Sequence, residues 1–80
     1  MSDHTQSVEI VLHVNDTLGE DRRNDLVTSL AANDGVYNAC FTPNREHLMR
    51  VKYNRIQYKA QDILRKVMSQ HVHAELIGPI

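Results

Sequence analysis

The sequence predicts a small α+β protein whose elements follow the order strand, helix, strand, strand, helix, strand. Three observations predict this order: four segments alternate apolar and polar residues, two segments carry apolar residues at helical spacing, and the links between them are short and polar. Strands and helices in this order are typical of a sheet covered on one face. The 80 residues leave room for one hydrophobic core.

The first half of the chain provides a strand, a helix and a second strand. Residues 8–14 place a valine, isoleucine or leucine at every second position, which is typical of a half-buried strand. Thr17 and Glu20 have the spacing of a capping box, so we expect the first helix to begin there. Gly35 is expected to end that helix in the left-handed conformation, and residues 36–42 then form the second strand.

The second half provides a hairpin, a helix and a final strand. A turn at residues 43–46, with proline as its first corner residue, leads into a third strand over residues 48–53. Apolar residues at helical spacing predict a second helix over residues 57–70. The last strand covers residues 72–77, and the Gly-Pro pair after it is expected to end it. The complete order predicts a ferredoxin-like βαββαβ fold, a four-stranded antiparallel sheet with two helices on one face.

Composition and charge exclude several classes of function. Nine basic and ten acidic residues give a net charge of −1, without the basic excess of nucleic-acid binders, so nucleic-acid binding is the weakest alternative. No apolar run approaches the ~20 residues of a transmembrane helix, and residues 1–7 lack the features of a signal peptide. We expect these seven residues to form a disordered tail, residues 8–80 to form a single domain, and the protein to be cytoplasmic.

Several of these stretches together resemble the heavy-metal-associated domain, the module of copper chaperones, mercury-binding proteins and the N-termini of P-type ATPases. The resemblance covers residues 8–77 and implies the same βαββαβ fold. The matching stretches are residues 8–14, Leu26 and Leu30 leading into residues 33–36, then residues 39–41, 48–53, 62–64 and 73–76.

Aligned on Gly35 and Val36, the resemblance places Gly19 and Arg22 where that family has its two metal-binding cysteines. Soft ions such as Cu(I) and Hg(II) select thiolate ligands. Glycine offers no ligand atom, and arginine is a permanent cation that repels a metal ion. Cys40 is the one cysteine of the chain. The chain thus looks like a divergent member of the family without the CxxC metal site, and no cofactor is expected.

The first functional hypothesis is a non-enzymatic protein–protein interaction module, acting on a partner protein or on a second copy of itself. In the resembled family, partner domains meet the edge that carries the metal-binding loop before the first helix. The resemblance therefore implies docking by the residues that occupy that loop's place in this chain. The open face of the sheet is a second contact surface to consider. No catalytic residue is expected, because no nucleophile stands beside a base and no phosphate-binding loop is present. The predicted interaction residues are Asp16, Thr17, Leu18, Gly19, Glu20, Asp21 and Arg22.

The alternative hypothesis is a metal-binding or metal-sensing protein that uses histidines. His13 in the first strand and His73 in the last are predicted to lie on the sheet face away from the helices, with His71 close in sequence. If His13 and His73 are directly opposite, their Cβ atoms are ~5 Å apart, and their imidazoles suit zinc, nickel or copper(II). The simpler interpretation is a pair of exposed polar side chains. His47 is expected to be an ordinary surface residue at a turn.

Overall fold

The computed structural model describes residues 7–79, with side chains through Ile77. It confirms the predicted βαββαβ order and the four-stranded antiparallel sheet. The predicted disordered tail lies outside the described residues, except for Ser7, which begins the first strand. The elements are β1 (Ser7–Val14), α1 (Glu20–Ala31), β2 (Val36–Thr42), β3 (Arg45–Asn54), α2 (Ala60–Met68) and β4 (Ala74–Pro79).

The sheet has the strand order β2-β3-β1-β4, and each neighbouring pair is antiparallel. β1 and β3 form the centre of the sheet, where Ile10 pairs with Val51 and Leu12 with Met49. These four side chains are buried. β2 and β4 are the two edges, so groups on one edge strand lie far across the sheet from groups on the other.

Both helices pack against the same face of the sheet. Their apolar stripes contribute Leu26, Leu30, Ile63 and Val67, each at most 1 % exposed. These side chains and the inward-facing strand residues form one core cluster, so burial of apolar surface is the main stabilising force. Within residues 7–79, neither helix has the length and apolar content needed to cross a membrane.

β4 passes through the Gly-Pro pair that was expected to end it, so that expectation is wrong. Gly78 pairs with Val11 and Pro79 with Ile10, after a bulge at Ile77. A proline is tolerated here because β4 is an edge strand, where a missing N–H need not break a ladder hydrogen bond.

The N-cap of α1 lies two residues later than predicted. The capping box expected at Thr17 and Glu20 does not form: Gly19 is the N-cap residue, and no side chain caps the helix. The main-chain N–H of Arg23 donates to the Gly19 carbonyl oxygen at 3.0 Å. The guanidinium Nη1 of the same residue donates to the carbonyl oxygen of Leu18 at 2.7 Å. These two contacts fix the start of the helix without a hydroxyl cap.

α2 is shorter and β3 longer than predicted. α2 begins after Lys59, whose main-chain N–H donates to the Asp62 carboxylate at 2.8 Å. β3 begins at Arg45 because Thr42 pairs with that residue, which leaves a two-residue turn. The earlier start brings His47 into β3, beside the end of β1.

Gly35 joins α1 to β2 with a φ of 93°, in the left-handed region that the sequence predicted. Its carbonyl oxygen accepts a hydrogen bond from the Asn54 main-chain N–H at 2.8 Å. A Cβ atom at this position would collide with the side chain of Gln57 and lie 3.0 Å from Tyr58. The turn therefore requires glycine both for its backbone conformation and for its close contact with the chain between β3 and α2.

We predict that Gly35→Ala destabilises the domain by ~1–3 kcal/mol, because the left-handed conformation and the collision act together. Gly19→Ala is the matched control: its φ is −71° and nothing lies within 4 Å of the added Cβ. The control should cost less, ~0.5–1 kcal/mol, because alanine is a poorer N-cap residue than glycine but meets no collision here. Urea unfolding of the two variants measures the difference, and equal losses would contradict the packing described at Gly35.

Candidate functional site

The candidate site lies at the end of the sheet where β1 leads into α1. Residues 15–23, named here the β1–α1 segment, lie beside the beginnings of β3 and β4. Antiparallel pairing brings these chain stretches together, since His13 near the end of β1 pairs with Leu48 of β3 and Glu75 of β4. The predicted interaction residues and the histidines therefore share one end of the domain.

Asp16 connects the β1–α1 segment to the residues just before β4. The main-chain N–H of His73 donates to Asp16 Oδ2 at 2.8 Å, and the His73 imidazole Nδ1 lies 3.2 Å from the same oxygen. The main-chain N–H of Asn15 donates to the carbonyl oxygen of His73 at 2.7 Å. The hydrogen bond from the His73 main chain is the largest cause that lowers the pKa of Asp16, and the imidazole lowers it further.

Two arginines hold the rest of the segment against the domain. Arg22 Nη2 donates to the carbonyl oxygen of Gln70 at 2.6 Å, just beyond the C-terminal end of α2, where the helix dipole favours a cation. Arg23 Nη1 forms an ion pair with Glu46 of β3 at 2.8 Å, in addition to its bond to Leu18. The segment is thus attached to elements on both of its sides.

The predicted interaction residues divide into anchoring and exposed groups. Asp16 is half-buried through its contact with His73, and Leu18 packs against the core. Arg22 is exposed, but one of its nitrogens is committed to Gln70. The other exposed members are Thr17, Gly19, Glu20 and Asp21. Carboxylates therefore dominate the outward-facing charge at the start of α1.

The structure does not place His13 and His73 opposite each other, so the predicted pairing is wrong. Glu75 occupies the register position opposite His13. β4 begins at Ala74, so His73 precedes the strand, and its carbonyl oxygen accepts from Asn15, two residues beyond His13. The sequence prediction began β4 two residues too early, which moved His73 into the ladder.

His71 lies in the turn after α2, exposed and with a φ of 63°. Within residues 7–79, neither His71 nor His73 forms a hydrogen bond, an ion pair or a ring contact with His13. Across the part of the chain that the structure describes, no group of three or more histidine, cysteine, aspartate or glutamate side chains is arranged to hold a metal ion.

His47 is the residue of this site that sequence reasoning missed. Its ring stacks with the ring of His13 at a centroid distance of 5.7 Å and an interplanar angle of 14°. His47 Nδ1 donates to the carbonyl oxygen of Val14 at 2.8 Å, and His13 Nδ1 lies 2.7 Å from Asn15 Oδ1. A sequence prediction that began the third strand at Arg45 would have shown this pair, because it would have placed His47 next to the end of β1.

A cleft of about 570 Å³ opens beside the stacked rings. One wall comes from Thr17 and Leu18 of the β1–α1 segment, and the other from residues 44–48 of the β2–β3 turn and β3. The cleft therefore connects the predicted interaction residues to the histidine pair.

The open face of the sheet carries Cys40 opposite Arg50, with the cysteine exposed as predicted. Arg50 also forms an ion pair with Glu9 of β1 at 3.0 Å. This part of the open face therefore has a balanced charge, in contrast to the acidic start of α1.

We predict that Asp16→Asn makes the stability of the domain less sensitive to acid. The folded-state pKa of Asp16 lies below its ordinary value, so its stabilising contribution is complete above about pH 4 and is lost as pH falls through the lower folded-state pKa. The variant should be less stable at pH 7 and lose less stability between about pH 5 and pH 2. Urea midpoints across this pH range test the expectation. Asp25→Asn, an exposed carboxyl on α1, is the control, and an acid dependence in Asp16→Asn as steep as in the control would contradict the role given to the His73 hydrogen bond.

No protein-family model matches the sequence, and no curated protein matches it. Solved structures do match its fold. The yeast copper transporter domain Ccc2a aligns with 91% of this chain and 99% of its own, at 19% sequence identity and a TM-score of 0.79. The N-terminal domain of a potential copper-translocating P-type ATPase from Bacillus subtilis aligns with 92% of this chain and 91% of its own, at 18% identity and a TM-score of 0.80.

Oxidized MerP from Ralstonia metallidurans CH34 aligns with 89% of this chain and 97% of its own, at 10% identity and a TM-score of 0.76. Identities this low establish the fold and nothing finer. The chain has the fold of heavy-metal-associated domains, as its sequence resemblance implied.

Proposed function

We propose that this protein is a non-enzymatic protein–protein interaction module whose docking surface is the β1–α1 segment and the first turns of α1. Its partner is a protein with a basic surface. The observation that carries the proposal is the arrangement of charge in this region: Arg23 is paired with Glu46, and the exposed Arg22 is held by the Gln70 carbonyl oxygen, whereas Glu20 and Asp21 are exposed and turned to solvent.

The attachments of the segment support docking because they give it one conformation before a partner arrives. Asp16 is bound to His73, Arg22 to Gln70, and Arg23 to Glu46. A surface that is already ordered loses little conformational entropy on binding, so more of its contact energy contributes to affinity.

The exposed carboxylates of α1 continue beyond the first turn, the part of the helix that its dipole stabilises with negative charge. Glu20 and Asp21 lie in the first turn, where the helix dipole favours carboxylates. Asp25 is one turn further on, exposed and four residues from Asp21, a like-charge spacing that costs a helix a few tenths of a kcal/mol, ~0.2–0.5. A basic partner would relieve this repulsion, which is the reason we assign the partner a basic surface.

The neighbours in structure include copper transporter and copper-translocating ATPase domains. We propose that this chain shares their scaffold without a thiolate copper site, because its sequence contains one cysteine, Cys40, which lies on β2 rather than in the β1–α1 segment. Docking in place of metal transfer is consistent with Gly19 and Arg22 at the positions that the family alignment assigns to cysteines.

Metal binding through His13 and His73 is the second candidate function. The strand register gives a metal site on these two histidines less support, because Glu75 lies opposite His13 and the main-chain N–H of His73 donates to Asp16.

Charge reversal on α1 tests the docking proposal with a matched pair of variants. Asp21→Lys changes the proposed surface, and Asp34→Lys makes the same change of two charge units at an exposed position in the turn that follows α1. Proteins of the source organism that bind the wild-type domain and Asp34→Lys should bind Asp21→Lys about tenfold more weakly. Quantitative affinity capture, followed by titration of the purified partner, measures the effect.

Amide chemical shifts locate the contact in the same titration. We expect the partner to shift residues 15–25 and to bind less tightly as salt is raised. A partner that binds both variants equally, or that shifts the open sheet face instead, contradicts the proposed surface.

A further inference from the structure

We infer that the outer edge of β2 is a self-association site, at which two copies of this chain join their four-stranded sheets into one by antiparallel β2–β2 pairing. β2 is an edge strand, and within residues 7–79 no other strand pairs with its outer side. An edge strand presents backbone N–H and C=O groups to which a further strand can bind. The site lies outside the β1–α1 segment and does not depend on the proposed docking function.

The first argument is that β2 lacks the features that usually protect an edge strand. Natural edge strands avoid unwanted pairing by means of charged side chains, prolines or bulges. β2 has the sequence VYNACFT, which contains no charged residue and no proline. Its pairing with β3 shifts at Tyr37 and again at the turn, so residues 38–41 between these points form a regular stretch. A second strand therefore meets a regular and uncharged edge.

The opposite edge of the sheet differs in each of these respects. β4 contains Glu75 and Pro79, and a bulge at Ile77 interrupts its pairing with β1. Proline has no main-chain N–H to donate to another strand. The contrast identifies β2 as the edge that is able to accept a strand.

A second copy of this chain fits the edge, because two identical antiparallel strands pair symmetrically about a two-fold axis. With the axis at Ala39, the midpoint of β2, Asn38 of one copy lies opposite Cys40 of the other. Both of these side chains are exposed and uncharged, so no like charges meet at the contact. Tyr37, which is 45% exposed, lies at the level of Phe41 of the second copy, and cross-strand aromatic pairs stabilise a sheet.

The charges nearest to the β2–β2 contact are far enough apart for two identical copies to approach. Lys52 of β3 lies opposite Asn38, one strand inside the edge. Arg50 lies opposite Cys40 in the same way, and it is also paired with Glu9 of β1. In the joined sheet, three strand spacings, ~14 Å, separate the β3 cations of one copy from those of the other. The Debye length at physiological ionic strength is ~8 Å, so their repulsion is largely screened.

The size of the contact predicts a weak and reversible dimer. β2 has seven residues, whereas a stable interface of standard size involves ~20–30 residues on each side. Main-chain hydrogen bonds supply most of the affinity when a strand is added to a sheet edge. We therefore expect dimers at high local concentration and monomers on dilution.

The test is sedimentation equilibrium of the full chain under reducing conditions, from about 10 µM to about 1 mM. We expect the mean mass to rise toward that of a dimer over this range. The double variant Asn38→Glu/Cys40→Glu should weaken association by at least about tenfold, because each copy then brings two carboxylates to the contact. In the monomer these glutamates lie opposite Lys52 and Arg50, so the fold should be retained, which amide spectra verify.

Cys40→Ser is the matched control, because it keeps the edge uncharged and excludes a disulfide between copies. It should associate as the wild-type chain does. Dilution of a concentrated nitrogen-15-labelled sample locates the contact, and we expect the amide shifts to centre on residues 36–42.

Three results would overturn the site: a monomer throughout the concentration range, association that is unchanged in the double variant, or dilution shifts confined to β4 or α1. A shift of residues 36–42 caused by a different protein, with the chain itself monomeric, would assign the edge to that protein instead.

Discussion

The contact between Asp16 and the main-chain N–H of His73 determines the shape of the functional end of this domain. It joins the exit of β1 to the entry of β4 across the edge of the sheet, with a hydrogen bond of 2.8 Å. The same junction sets the register, because the Asn15 N–H donates to the His73 carbonyl oxygen and so places Glu75, not a histidine, opposite His13. This junction, together with the contacts of Arg22 and Arg23, positions the β1–α1 segment beside the start of β4.

Two arginines of the β1–α1 segment also attach it to the rest of the domain. Arg23 is paired with Glu46, and Arg22, although exposed, is held by the carbonyl oxygen of Gln70. Within residues 7–79, Glu20 and Asp21 are exposed without such attachments, so carboxylates outnumber cations on the outward side of the first turn. In the proposed function, this arrangement of charge gives a fold shared with copper-binding domains a docking surface for a basic partner. His47 lies on the other wall of the adjoining cleft, where its ring stacks with that of His13.

The sequence predicted the parts of the fold that depend on burial. Alternation placed Ile10, Leu12 and Val14 in the core, and helical spacing placed Leu26 and Leu30 there, because these patterns reflect which face of each element meets the others. Gly35 was also predictable, since few other residues adopt its conformation.

The candidate site was less predictable because its geometry depends on contacts between distant residues. Arg23, and not the hydroxyl of Thr17, fixes the start of α1. The extended pairing of Thr42 with Arg45 carries His47 to His13, and the contact of Asp16 with His73 holds that histidine out of β4. Errors of two or three residues at the starts of β4 and β3 were enough to exchange one histidine partner for another, because strand position decides which side chains meet.

Backbone nitrogen-15 relaxation of the uniformly labelled domain tests the central claim most directly, namely that the β1–α1 segment is a preformed surface. The account predicts order parameters for residues 15–23 close to the ~0.85 of a rigid backbone, matching those of β1 and β3. Values below ~0.6 across the segment in the wild-type protein, with a rigid sheet beside it, would show that its attachments do not hold in solution and would contradict the account.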